Sequence, residues 1–166
     1  MSIPVMKVDL PNMPDDVIDM WLLPYEHYGW PPTDKRWQNV LRNDLTYLQG
    51  LRWQKRLIAV TPQMLSQEDL SIVIGLYQAH VLGQTNQFSM WMPDGFERFS
   101  KFCEYLQKHG VFPRPIVLQR RKDDYWILDG YHRLTAYFYL LGKFVTNHPD
   151  IPDLTVREDQ EIWVAT

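Results

Sequence analysis

Residues 130–141 read as a helix with apolar side chains around most of its circumference. After Gly130 and the polar pair His132-Arg133 come Leu134, Ala136, Tyr137, Phe138, Tyr139, Leu140 and Leu141. A helix without a polar face has to be covered on several sides, so it belongs in the interior of a layered domain. Directly before it, Tyr125-Trp126-Ile127-Leu128 has strand composition, and Asp129-Gly130 stops it. Pro115-Ile116-Val117-Leu118 is a second strand, and the turn Lys122-Asp123-Asp124 makes the two a hairpin. Gly142 ends the helix. A buried helix fed by a hairpin predicts an α+β domain.

Periodicity assigns the rest. Arg56–Val60 is a short strand stopped by Thr61-Pro62. Ser66 caps a helix that runs to about Leu82, with Glu68 and Asp69 in its first turn and Gly83 at its end. Gln84–Pro93 reads as a polar and aromatic loop. The next helix starts at Asp94, which has capping-box spacing to Glu97. Its apolar stripe is Phe96, Phe99, Phe102, Cys103 and Leu106, and Gly110 is its stop. Asn147–Asp153 is a Pro-containing loop and Glu161–Val164 a last strand.

Residues 1–32 are rich in Pro and aromatics and read as an extended arm with one short helix near Pro14–Leu22. Trp37, Val40, Leu41, Leu45 and Leu48 then predict a helix from Thr33 to Leu51. The 166 residues are expected to form one domain. Residues 1–55 would be an aromatic- and Pro-rich, mainly helical addition, and 56–166 a core with a helical insertion.

Composition narrows the function. A net charge of −3 argues against a free-standing duplex-DNA binder, although Arg114, Arg120, Arg121 and Lys122 cluster, as do Arg52, Lys55 and Arg56. The single cysteine, Cys103, allows no internal disulfide and no thiolate zinc site. No apolar run approaches the ~20 residues that span a bilayer, and no signal peptide is evident. The expectation is a soluble, cytoplasmic protein without membrane contact. Aromatic residues make up 14% of the chain. They pack a bulky core or, at Trp21, Tyr25, Tyr28, Trp30 and Trp91, form a protein interface.

The junction Asp129-Gly130-Tyr131-His132-Arg133 is where chemistry is expected. The first turn of a helix carries N–H groups without helical acceptors and the positive end of the dipole. Gly130 allows close approach of an anion, and Arg133 has the fork geometry that grips phosphate. Asp129 could hold a metal ion or orient a nucleophile, and His132 could transfer a proton. Glu68 or Asp69 could supply a second acid or simply cap their helix. The structural alternative stands beside this reading: Asp-Gly is a common turn, His132 a core histidine, and Arg133 a partner of Asp129 or Glu97.

The stretch Phe96–Gly142 resembles the ParB/sulfiredoxin superfamily. The resemblance rests on His109-Gly110-Val111, the strands Pro115–Leu118 and Tyr125–Leu128, and the string Asp129-Gly130-Tyr131-His132-Arg133-Leu134 with Ala136 and Gly142 downstream. It implies a small mixed sheet with packed helices, and nucleotide phosphates bound by Gly130 and Arg133, with Tyr131 and His132 beside them. ATP or another nucleotide with Mg2+ would be the cofactor. Tyr131 stands where sulfiredoxins carry their cysteine, which speaks against sulfinic acid reduction.

Three functions follow. The first is a phosphotransferase or nucleotide hydrolase acting on a nucleotide or phosphorylated small molecule, with Asp129 and His132 catalytic and Gly130, Tyr131 and Arg133 binding. The second is a non-catalytic protein-interaction module on the same fold. The third is a nuclease or nucleic-acid accessory. Arg133→Ala is expected to weaken phosphate binding with little loss of fold.

Overall fold

The computed structural model describes residues 2–28, 36–41, 45–92, 94–144 and 155–166. Its strands are β1 (Trp53–Ala59), β2 (Ile116–Arg121), β3 (Asp124–Asp129) and β4 (Asp159–Ala165), in the order β1-β4-β2-β3. β2 and β3 are the expected antiparallel hairpin, closed at Arg121–Asp124 through Lys122 at φ 49°. β1 pairs antiparallel with β4, while β2 runs parallel to β4. The protein is therefore of the α+β class, with a mixed sheet.

Alternation along the strands sends side chains to two separate cores. Ile116, Leu118, Ile127, Ile162 and Val164 face a cluster shared with the helices that follow β1. Val117, Leu128 and Ala165 face a second cluster with Trp21, Trp37, Leu48 and the apolar side of the N-terminal segment. Ile116, Val117, Leu118 and Gln119 of β2 are buried on both faces of the sheet, which is why Ile116-Val117-Leu118 is apolar without a break.

On the first face lie α5 (Gln67–His80), α6 (Gln87–Trp91), α7 (Gly95–His109) and α8 (Tyr131–Leu140). Ser66 caps α5 as expected, its Oγ accepting from the Asp69 N–H at 3.2 Å. Gly110 ends α7 in the left-handed conformation. α8 is buried from Arg133 to Phe138 and again at Leu140, as a helix without a polar face requires.

Several expectations change. α6 lies inside the expected Gln84–Pro93 loop, started by a capping box between Asn86 and Ser89. The Asp94–Glu97 box does not form: Asp94 accepts from Arg98 and Glu97 from Lys101, each one turn on. Phe96, expected on the α7 stripe, is 62% exposed.

The N-terminal segment is more helical than expected, with α1 at Ile3–Asp9. A continuous run then joins α2 (Asp15–Val17), a π-helical turn at Ile18–Leu22 and α3 (Leu23–Tyr28). Pro24 has no N–H to give the ladder, and the ladder widens in the turn before it, where Leu23 N–H donates to Ile18 O. The helix expected from Thr33 to Leu51 is broken. A 3₁₀ turn at Trp37–Val40 is followed by extended backbone at Leu41 and then α4 (Leu45–Gln49). Thr33, Trp30, the expected 147–153 loop and the side chains of Tyr28 and Trp91 lie outside the described residues. Trp21 is in the second core, so it is not available to a partner.

Candidate functional site

β3 ends at Asp129, and the chain turns into α8 through Gly130 at φ 110°. That φ favours glycine, and space demands it too. A Cβ on Gly130 would come within 2.6 Å of Ile116 Cγ2 and 3.3 Å of an Arg133 nitrogen. The missing side chain thus lets the turn seat against β2. The α8 ladder starts with Leu134 N–H donating to Gly130 O at 2.9 Å, so the amides of residues 131–133 precede it.

This turn opens onto a cavity of about 360 Å³. Asp129, Gly130, Tyr131, His132 and Arg133 line it, so the five residues singled out in the sequence come together at one site. The other walls come from distant segments: Tyr25 of α3, Ile72 and Leu76 of α5, Phe88 of α6, Met92, Arg98 and Phe102 of α7, and Leu128 of β3. Phe88 can seat there because Gly75 of α5 has no side chain; a Cβ would lie 2.4 Å from its ring.

Arg133 is committed inside the protein. Its guanidinium is ion-paired with Asp129 and donates to the carbonyls of Arg114 at 2.9 Å and Pro115 at 2.7 Å. At 7% exposure it ties the start of α8 to the end of β3 and to the segment entering β2. In this arrangement it positions the turn. Three internal bonds argue against the expectation that Arg133→Ala would leave the fold nearly intact.

Tyr131 is held in a second network. Its hydroxyl donates to the buried carboxylate of Asp69, which also accepts from Ser66 Oγ at 2.8 Å and from Ile127 N–H at 3.0 Å. Asp69 therefore braces α5 against β3 and α8, and it is not among the cavity-lining residues. Glu68, the other expected acid, is exposed on α5.

His132 stacks on His80, with ring centroids 5.5 Å apart, and His80 stacks in turn on Phe99 at 5.7 Å. The Nε2 atoms of both histidines are buried without a hydrogen-bond partner among the described residues. Burial, with the nearby His80 and Arg98, pushes the His132 imidazole down to about 4, so it is neutral at pH 7. Tyr25 is pushed up to about 12, chiefly by burial, with Asp129 adding to the rise and Arg98 opposing it. Arg98 itself is exposed, its Nε donating to Asp94 at 2.6 Å.

Arg98 and His80 were not singled out in the sequence, and Tyr25 only as a protein-interface candidate. Arg98 sits on the polar side of an amphipathic helix, where a cation is ordinary, and Tyr25 comes from the segment read as an arm. No sequence signal joins either to the junction.

The site fits magnesium poorly. Among the described residues Asp129 is the only carboxylate lining the cavity, and it is already paired with Arg133. Among the described residues no group of three or more His, Cys, Asp or Glu is arranged to hold a metal ion. No helix among them is long and apolar enough to cross a membrane. The fold and site define an α+β protein with a ligand-sized cavity at a strand-to-helix junction. No protein-family model, no curated protein and no solved structure matches the chain.

Proposed function

We propose that this chain binds a nucleotide or a phosphorylated small molecule at the start of α8, on a ParB/sulfiredoxin-like core. The observation that supports this reading is that the Gly130–Arg133 turn opens onto the cavity, whose volume of about 360 Å³ is in the range of small-molecule sites. The first amides of α8 and its dipole favour an anion there. Ile72, Leu76, Phe88, Met92, Phe102 and Leu128 offer the apolar surface that a base or another ring would cover. Asp129 and His132 line the cavity beside this turn, with Gly130, Tyr131 and Arg133 shaping it.

A thermal-shift screen tests the reading, using AMP, ADP, ATP, CTP, GTP and inorganic phosphate, each with and without magnesium. Binding to the native state raises Tm in proportion to the logarithm of ligand concentration once the site is filled. At least one nucleotide is expected to do so. A Tm unmoved by all of them at millimolar concentration contradicts the proposal.

A further inference from the structure

The geometry points to a ligand class for this cavity, an inference that rests on the reading above. The site takes a molecule with a flat apolar body and one anionic group, held without a metal ion, and Arg98 is its anion contact.

Among the described residues the cavity is lined by two cations, Arg98 and Arg133, and one acid, Asp129. Arg133 and Asp129 neutralise each other, and the Arg133 fork is turned to two backbone carbonyls as well. That leaves Arg98, exposed on α7 and engaged through Nε with Asp94. One guanidinium edge matches one carboxylate, sulfonate or phosphate. A triphosphate needs several cations, normally including Mg2+, and Asp129, the one acid among the described lining residues, is paired with Arg133.

Apolar side chains form most of the remaining wall, so the body of the ligand has to be apolar. Two polar features complete the fit. His132 lines the cavity, and its buried Nε2 has no hydrogen-bond partner among the described residues. Tyr25 brings a phenol from the N-terminal segment to the cavity wall that Asp129 and Arg98 also line.

The test uses 8-anilinonaphthalene-1-sulfonate, which has aromatic rings and one sulfonate, titrated by fluorescence into the native full-length chain. Saturable one-site binding is expected, unchanged by EDTA or millimolar Mg2+. It should weaken about tenfold or more in Arg98→Gln, the loss of one charge-assisted contact. Arg98 is exposed and its loss spares the core, which a denaturation curve of the variant checks. Equal affinity in Arg98→Gln, or no saturable native-state binding, overturns the inference. Competition separates it from the nucleotide reading. Displacement by AMP but not by ATP with Mg2+ supports both. Stronger displacement by ATP with Mg2+ overturns the single-anion class and keeps nucleotide binding. Arg98-dependent dye binding that no nucleotide displaces keeps the ligand class and overturns nucleotide binding.

Discussion

Replacing Arg133 with alanine should remove a large part of the folding free energy. The side chain is 7% exposed and makes three charge-assisted bonds, to Asp129 and to the carbonyls of Arg114 and Pro115. Removing one partner of a buried ion pair costs about 3–5 kcal/mol, because the other charge stays behind. Asp129 keeps 20% of its side-chain surface, so water recovers some of that, and a value near the lower end, about 3 kcal/mol, is expected. Against a total of about 5–15 kcal/mol this is a severe loss. At about 2–4 °C per kcal/mol for a chain of this size, Tm should fall by about 6–12 °C.

Urea denaturation with an unchanged slope is the assay. A double-mutant cycle with Asp129→Asn should give a coupling energy of about 1 kcal/mol or more. Stability within about 1 kcal/mol of wild type, with no coupling to Asp129, would refute the reasoning. The guanidinium would then be free in solution to reach a ligand directly.

Gly130→Ala should destabilise by about 2 kcal/mol or more, through a φ of 110° and a Cβ 2.6 Å from Ile116 Cγ2; an unchanged denaturation midpoint would contradict this. His132 is held down to about 4 in the native state against 6.5 unfolded, so the unfolded chain binds more protons between those values. Its contribution is intact above about pH 6.5 and is lost as pH falls toward 4, and His132→Gln should flatten that part of the stability profile; a profile that keeps its slope counts against the assignment. The Cys103 thiol is pushed up to about 12, mainly by burial, so maleimide labelling of the native protein at pH 7 should be slow; rapid labelling would place it in a reactive environment.

The elements legible in the sequence were those whose pattern and boundary agree. The hairpin, α5 behind Ser66, α7 ending at Gly110 and the buried α8 each combine a period with a stop residue. The break between Trp37 and Leu48 was hidden because both side chains are buried in one cluster, so spacing imitated a single helix. α6 was hidden because its Asn86–Ser89 cap sits in a polar stretch that composition assigns to a loop.

At the site, the local string Asp129–Arg133 was legible because its members are adjacent in sequence. What its side chains bond to was not. Whether Arg133 faces a ligand or Asp129 depends on Arg114 and Pro115, nearly twenty residues earlier, and on how closely Gly130 seats against Ile116. Arg98 and Tyr25 reach the cavity only through the packing of α7 on α8 and through the N-terminal segment, contacts that no local pattern encodes.

The most direct test of a ligand site at the start of α8 is an amide ¹H–¹⁵N correlation titration of the full-length chain with AMP. The result expected is a saturable set of shifts centred on Gly130, Tyr131, His132 and Arg133, with Arg98 moving at the same concentration. Saturable shifts confined to another face of the protein, or no shift at millimolar AMP, would contradict it.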